Sequence, residues 1–147
     1  MSVRKFVPLA LLFITPLLMF AKDAAVVVAK NSKVSTVQSA AFIKAFTSAP
    51  ARLADGQEVV LVVTPLTTPE AQAAVSKLLG QTPEGVEKLV SKRTVVVVDS
   101  AAEVIRLVSS TANAVGIVDT YSITGSIVVL KVDGKLPLEP GYLLHYH

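Results

Sequence analysis

With 147 residues, 52% of them hydrophobic, and a mean hydropathy of +0.59, the chain can fill the core of one domain, which excludes a disordered protein. Cysteine is absent, which excludes a disulfide framework, a thiolate zinc site, a lipidated cysteine and a cysteine nucleophile. The formal charge of +3 includes Arg4 and Lys5, and the remaining charges nearly balance, which argues against a nucleic-acid partner.

Taken in chain order, Met1 to Lys5 is a short basic stretch, Phe6 to Phe20 is apolar and uncharged, and Ala21 is a small residue ahead of Lys22 and Asp23. This pattern predicts a secretory signal peptide over 1–21 and a mature domain over 22–147. A bacterial-type export signal without cysteines makes the periplasm the expected location, with no membrane contact after cleavage. The alternative is a retained anchor, but the apolar run is shorter than the ~20 residues a span needs and carries Pro8 and Pro16.

Ala24 to Ala29 (AAVVVA) is a continuous apolar run short enough for a buried strand, and the turn-forming Lys30 to Lys33 ends it. Ser35 and Gln38 have the spacing of a capping box and predict a helix to about Thr47. Asp55 and Gly56 read as a turn, and Glu58 to Val63 as a further buried strand. Thr68-Pro69-Glu70 places a hydroxyl cap, a proline and an acid at a helix start, and Gly80 ends that helix. Thr82-Pro83-Glu84 repeats the start for a shorter helix.

The stretch from Arg93 to Tyr121 reads as the organising unit. Thr94 to Val98 is a β-branched run without polar alternation, the pattern of a central strand covered on both faces. Ser100 and Glu103 form a second capping box. Val104, Leu107 and Val108 follow at helical spacing, Asn113 suits a left-handed helix end, and Val115 to Val118 is another strand. Strand, helix, strand predicts parallel strands joined by a right-handed crossover. Ser126 to Val132 reads as one more strand, Asp133-Gly134 as a turn, and Pro137 to Gly141 as an irregular passage into the tail. The alternation predicts a single α/β domain with a mostly parallel or mixed sheet flanked by helices.

Several phrases occur together in this order: Ala25 to Ser32 (AVVVAKNS), Arg52 to Gln57 (RLADGQ) before a valine strand, Ser100 to Val104 (SAAEV), Asn113 to Val118 (NAVGIV), and Val129 to Gly134 (VLKVDG) ahead of Tyr142-Leu143. The series resembles the phosphate-binding proteins of ABC-type phosphate transporters, and more closely their small exported members. The resemblance implies one lobe of a type II periplasmic binding protein, non-enzymatic, with phosphate or a similar oxyanion as ligand and no cofactor. It also implies hydroxyls and amides at helix starts as ligand groups. Here the matching turn is Val63 to Glu70, with Thr67 and Thr68 as its hydroxyls and no arginine at Val63 or Thr64. A single lobe also invites a second function class, an interaction module that contacts a partner protein or pairs with itself.

The candidate ligand-binding residues are Thr67, Thr68, Ser100 and Ser32. Thr67 and Thr68 stand at a helix start, where amides and the dipole attract anions, but Thr68 as a simple cap is the alternative reading. Ser100, with Asp99, lies beyond the carboxyl end of a strand, where open α/β sheets place ligands, and its alternative is the box with Glu103. Asn31, Ser32 and Ser35 are expected along the same edge, or else in turn and cap roles. Lys92 and Arg93 add positive charge ahead of a strand, or form a solvated helix end. His145 and His147, the only histidines, belong to the tail, so no internal histidine serves as a catalytic base.

Overall fold

A computed structural model of the chain describes residues 24–47, 50–53, 56–137, 139, 142 and 144. The predicted signal peptide and both histidines lie outside the described residues.

Ala24–Ala29 forms β1, and all six of its residues are buried. The run lacks polar alternation because both faces are covered. Ala24, Val26 and Val28 join one hydrophobic cluster, while Ala25 and Val27 join a second. β3 (Val60–Val63) and β5 (Ala114–Asp119) divide in the same way, with Leu61, Val63 and Val115 in the first cluster and Val62, Ala114 and Val118 in the second. Burial of each such valine or leucine contributes about 1.5–3 kcal/mol, which makes these strands the stable centre.

The first cluster is closed by three helices, α1 (Ser39–Ala45), α2 (Pro69–Leu79) and α3 (Pro83–Ser91). Phe42, Val75, Leu78, Leu79, Val86 and Leu89 supply their buried faces. Gly80 ends α2 at φ 63°, and a Cβ there would stand 2.7 Å from the Ile43 side chain, so glycine meets both a conformational and a packing requirement. The second cluster is closed by α4 (Ala101–Ser110) through Val104, Ile105 and Val108. This helix lies directly on β5 at Gly116, where a Cβ would come within 2.7 Å of Val104 and 2.8 Å of Val108.

The main sheet has the order β4-β3-β5-β1-β6, with β4 at Val95–Val97 and β6 at Ile127–Val129. β3 is parallel to β4 and β5, whereas β1 is antiparallel to β5 and β6. The sheet is therefore mixed, as the sequence predicts. The expected central strand, however, is an edge: β4 lies outermost, and Val97 is 40% exposed. Its parallel relation to β5 holds with β3 inserted between them, and β5 takes the middle.

A small parallel sheet pairs β2 (Thr36–Val37) with β7 (Lys131–Val132), so the predicted strand from Ser126 to Val132 is divided between two sheets at Leu130. This pairing also displaces the predicted box of Ser35 and Gln38. The Ser35 carbonyl accepts from the Lys131 amide, and Gln38 makes no side-chain cap bond. The first amide of α1, that of Ser39, donates instead to Asp133 Oδ1 at 2.8 Å. That bond lowers the Asp133 pKa below its ordinary value. Asp133 (φ 54°) and Gly134 (φ 77°) form the predicted turn, with two successive left-handed residues.

The buried Tyr142 returns to the first strand, its hydroxyl accepting from the Val26 amide at 3.1 Å. The Leu130 amide donates to the Val26 carbonyl, so the tyrosine satisfies β1 just where pairing with β6 runs out. Burial raises the Tyr142 pKa. Among the described residues, no helix is long and apolar enough to cross a membrane.

Candidate functional site

Because β3, β4 and β5 run parallel, their carboxyl ends lead into three turns on one edge of the sheet. Open α/β sheets place ligands at such an edge. β3 leads through Thr64–Thr68 into α2, β4 through Val98–Ser100 into α4, and β5 through Asp119 into a short 3-10 turn at Thr120–Ser122. The structure thus brings Thr67, Thr68 and Ser100 to the same edge.

Thr68 is extended and its Oγ1 accepts from the Ala71 amide at 3.1 Å, the N-cap bond that its alternative reading describes. Gln72 pins the turn by donating its side-chain amide to the Leu66 carbonyl at 3.0 Å. Pro69, the first helical residue, has no amide to offer. Thr67 is exposed and makes no hydrogen bond among the described residues.

Ser100 caps α4, its Oγ accepting from the Glu103 amide at 3.2 Å. The capping box is only half formed. The Glu103 carboxylate takes two hydrogen bonds from the Arg106 guanidinium, at 3.0 and 2.9 Å, so Glu103 is held below its ordinary pKa and Arg106 above its own. Ala101 and Ala102, the first helical residues, have amides without an intrahelical acceptor. Asn113 does not adopt the expected left-handed conformation; α4 ends in the extended Thr111.

Sequence reasoning missed the third turn. Asp119 Oδ1 accepts from the Tyr121 amide and Oδ2 from the Ser122 hydroxyl, both at 3.0 Å, which leaves Tyr121 84% exposed on this edge. An aspartate ending an apolar run and followed by hydroxyl residues was the signal. Asp99 and Asp119 also bring two carboxylates to this edge.

Ser32 is not there. β1 is antiparallel to β5, so the turn after Ala29 opens at the amino end of the parallel strands, away from Thr67, Thr68 and Ser100. The expected common edge is corrected for Asn31 as well, while Ser35 pairs its carbonyl with the Lys131 amide beside β7. Ser32 Oγ accepts from the Val34 amide at 3.1 Å, a local turn bond. With Asn31, Lys33, Phe42, Asn113 and Leu130, Ser32 lines a cavity of about 130 Å³.

Lys92 and Arg93 also occupy the amino edge. Arg93 has φ 61°, its amide donates to the Val90 carbonyl at 3.0 Å, and the Thr94 amide donates to that of Leu89 at 2.9 Å. These two bonds close α3 in a Schellman arrangement, in which the left-handed position is usually glycine. Beside them a cleft of about 410 Å³ is lined by Pro50, Ala51, Val60, Lys92, Arg93 and Thr94, with Glu58 and Val59 completing the wall.

No family model and no curated protein matches the chain. Solved structures do. An ABC-type phosphate transport receptor from Vibrio cholerae superposes with a TM-score of 0.60 at 16% identity, covering 79% of this chain and 48% of the receptor. A putative phosphate ABC transporter substrate-binding protein with bound phosphate, from Clostridium perfringens, gives 0.62 at 17% identity over 79% and 47%. A possible phosphate binding protein from Planctomyces limnophilus gives 0.58 at 13% identity over 81% and 45%. The chain therefore spans about half the length of the structures it matches, and it has the fold that these phosphate-receptor structures carry over that half.

Proposed function

We propose that the chain is an exported, non-catalytic binding lobe whose carboxyl edge takes phosphate or a similar oxyanion weakly, in connection with ABC-type transport. What carries the reading is the placement of two helix starts, α2 and α4, after neighbouring parallel strands β3 and β4, with Thr67, Thr68 and Ser100 on one edge. Helix starts attract anions through unpaired amides and the dipole. Binding is weak because Thr68 and Ser100 already serve as caps, Pro69 lacks an amide, and Asp99 and Asp119 repel an anion. The fold shared with phosphate receptors supports the ligand class. Export through a leader over 1–21 places the lobe in the periplasm, and amino-terminal sequencing of the purified protein is expected to start at Lys22.

The test is a thermal melt with millimolar phosphate against sulfate at matched ionic strength. Phosphate at about a hundred times its Kd adds roughly 2.7 kcal/mol, a rise of several degrees. No rise in either anion over chloride at the same ionic strength overturns the reading. The 84% exposure of Tyr121 on the same edge favours a second reading, a self-pairing or partner-binding face. That reading predicts concentration-dependent sedimentation that Tyr121→Ser abolishes.

A further inference from the structure

We propose that the cleft at the amino edge of β3 and β4 is a second binding site, separate from the carboxyl edge, for a small organic carboxylate with an apolar body.

The floor carries the argument. Thr94 is 4% exposed and, unlike the buried hydroxyl of Tyr142, its own hydroxyl makes no hydrogen bond among the described residues. Its backbone is satisfied, the amide by the Leu89 carbonyl and the carbonyl by the Leu61 amide at 3.1 Å, so the unmet group is the side chain alone. A buried hydroxyl without a partner is unfavourable, and a valine of the same shape would avoid the penalty. A ligand oxygen in the cleft supplies the missing partner.

The rim gives the sign of the charge. Lys92 and Arg93 line the cleft, and neither takes part in an ion pair among the described residues. Glu58, also on the rim, faces Arg52 at 3.6 Å, so it does not offset them. Arg93 stands where glycine fits without strain, as the end of α2 illustrates with Gly80 at φ 63° against φ 61° for Arg93. Arginine at that position runs against backbone preference and sets a guanidinium-bearing residue on the rim of the cleft.

The walls give the body of the ligand. Pro50, Ala51, Val59 and Val60 are apolar. Two cations and one hydroxyl beside such a wall match an anionic head on a hydrocarbon body, whereas inorganic phosphate has no apolar part to set against it.

The test is an amide chemical-shift titration of the purified protein with benzoate, with benzyl alcohol as the neutral isostere and inorganic phosphate in a separate arm. Benzoate is expected to give saturable shifts at Val60, Lys92, Arg93 and Thr94, with benzyl alcohol giving none there. Thr94→Val and Arg93→Gly are each expected to weaken benzoate by about tenfold while melting no lower than the parent, because each removes an unfavourable feature of the fold. Absence of saturable shifts up to ~20 mM benzoate, an equal response to benzyl alcohol, or unchanged affinity in both variants overturns the site. Phosphate shifts confined to Thr67, Thr68 and Ser100 bear on the carboxyl edge alone, so the two sites stand or fall separately.

Discussion

The carboxyl and amino edges of the sheet use the same residue types in opposite ways. At the carboxyl edge the hydroxyls of Thr68 and Ser100 point back to their own helices, at 3.1 and 3.2 Å, and the open groups are Thr67 and the amides of Ala101 and Ala102. At the amino edge the buried hydroxyl of Thr94 has no partner among the described residues, Lys92 and Arg93 flank it, and two cavities open along the ends of β1, β3, β4 and β5. A hydroxyl beside a helix is thus evidence of a ligand only once its own hydrogen bonds have been counted. The edge with the more suggestive sequence carries the more satisfied chemistry.

The largest expected effect comes from the layer between the edges. Gly116→Leu drives a side chain into Val104 and Val108 and should cost about 3 kcal/mol or more, read as a fall in the urea midpoint. Because α4 carries Ser100, the displaced helix should change phosphate response before benzoate response, and loss of both together would break the distinction between the edges. Tyr142→Phe leaves the Val26 amide buried and unpaired, with an expected loss of about 1–3 kcal/mol.

The comparison is sharpest in a pair of hydroxyl deletions. Ser100→Ala removes a working cap and should destabilise by about 1 kcal/mol, whereas Thr94→Val should hold or raise the melting temperature. Equal losses in the two would show both hydroxyls to be structural. The smallest effect is a pH dependence. The bond from Ser39 lowers the Asp133 pKa in the folded state, so its stabilisation is present above the ordinary value of 3.8 and is lost as the pH falls through the lower folded value. Asp133→Asn keeps the left-handed turn and an acceptor oxygen but should remove that acid-limb dependence, with less than about 0.5 kcal/mol lost at neutral pH.

The helix starts were legible because their determinants are local. Thr68-Pro69, Thr82-Pro83 and Ser100 each cap the helix that follows, with the hydroxyl accepting from the third residue on. The buried strands were legible from their unbroken apolar runs, and the mixed α/β class followed from the alternation. The order of the sheet was not. Val95–Val97 reads as central by composition, yet its place at the edge depends on β3 pairing with it on one side and with β5 on the other, contacts more than thirty residues apart in sequence. The direction of β1, and with it the location of Ser32, depends on partners some ninety residues away. Ser35 and Gln38 failed as a box because Lys131 and Asp133, close to the other end of the domain, take over that stretch. The burial of the Thr94 hydroxyl had no sequence signal, since a threonine opening a valine run is ordinary strand composition.

One consequence of the position of β1 concerns time rather than structure. The first strand is flanked by β5 and β6, and its last backbone partner is the hydroxyl of Tyr142. The earliest part of the domain to leave a ribosome therefore has nothing to pair with until nearly all of the rest has followed. Long-range pairing of this kind slows folding. Until those partners follow, the first strand stays unpaired, and the domain closes only once the segment that carries Tyr142 is in place.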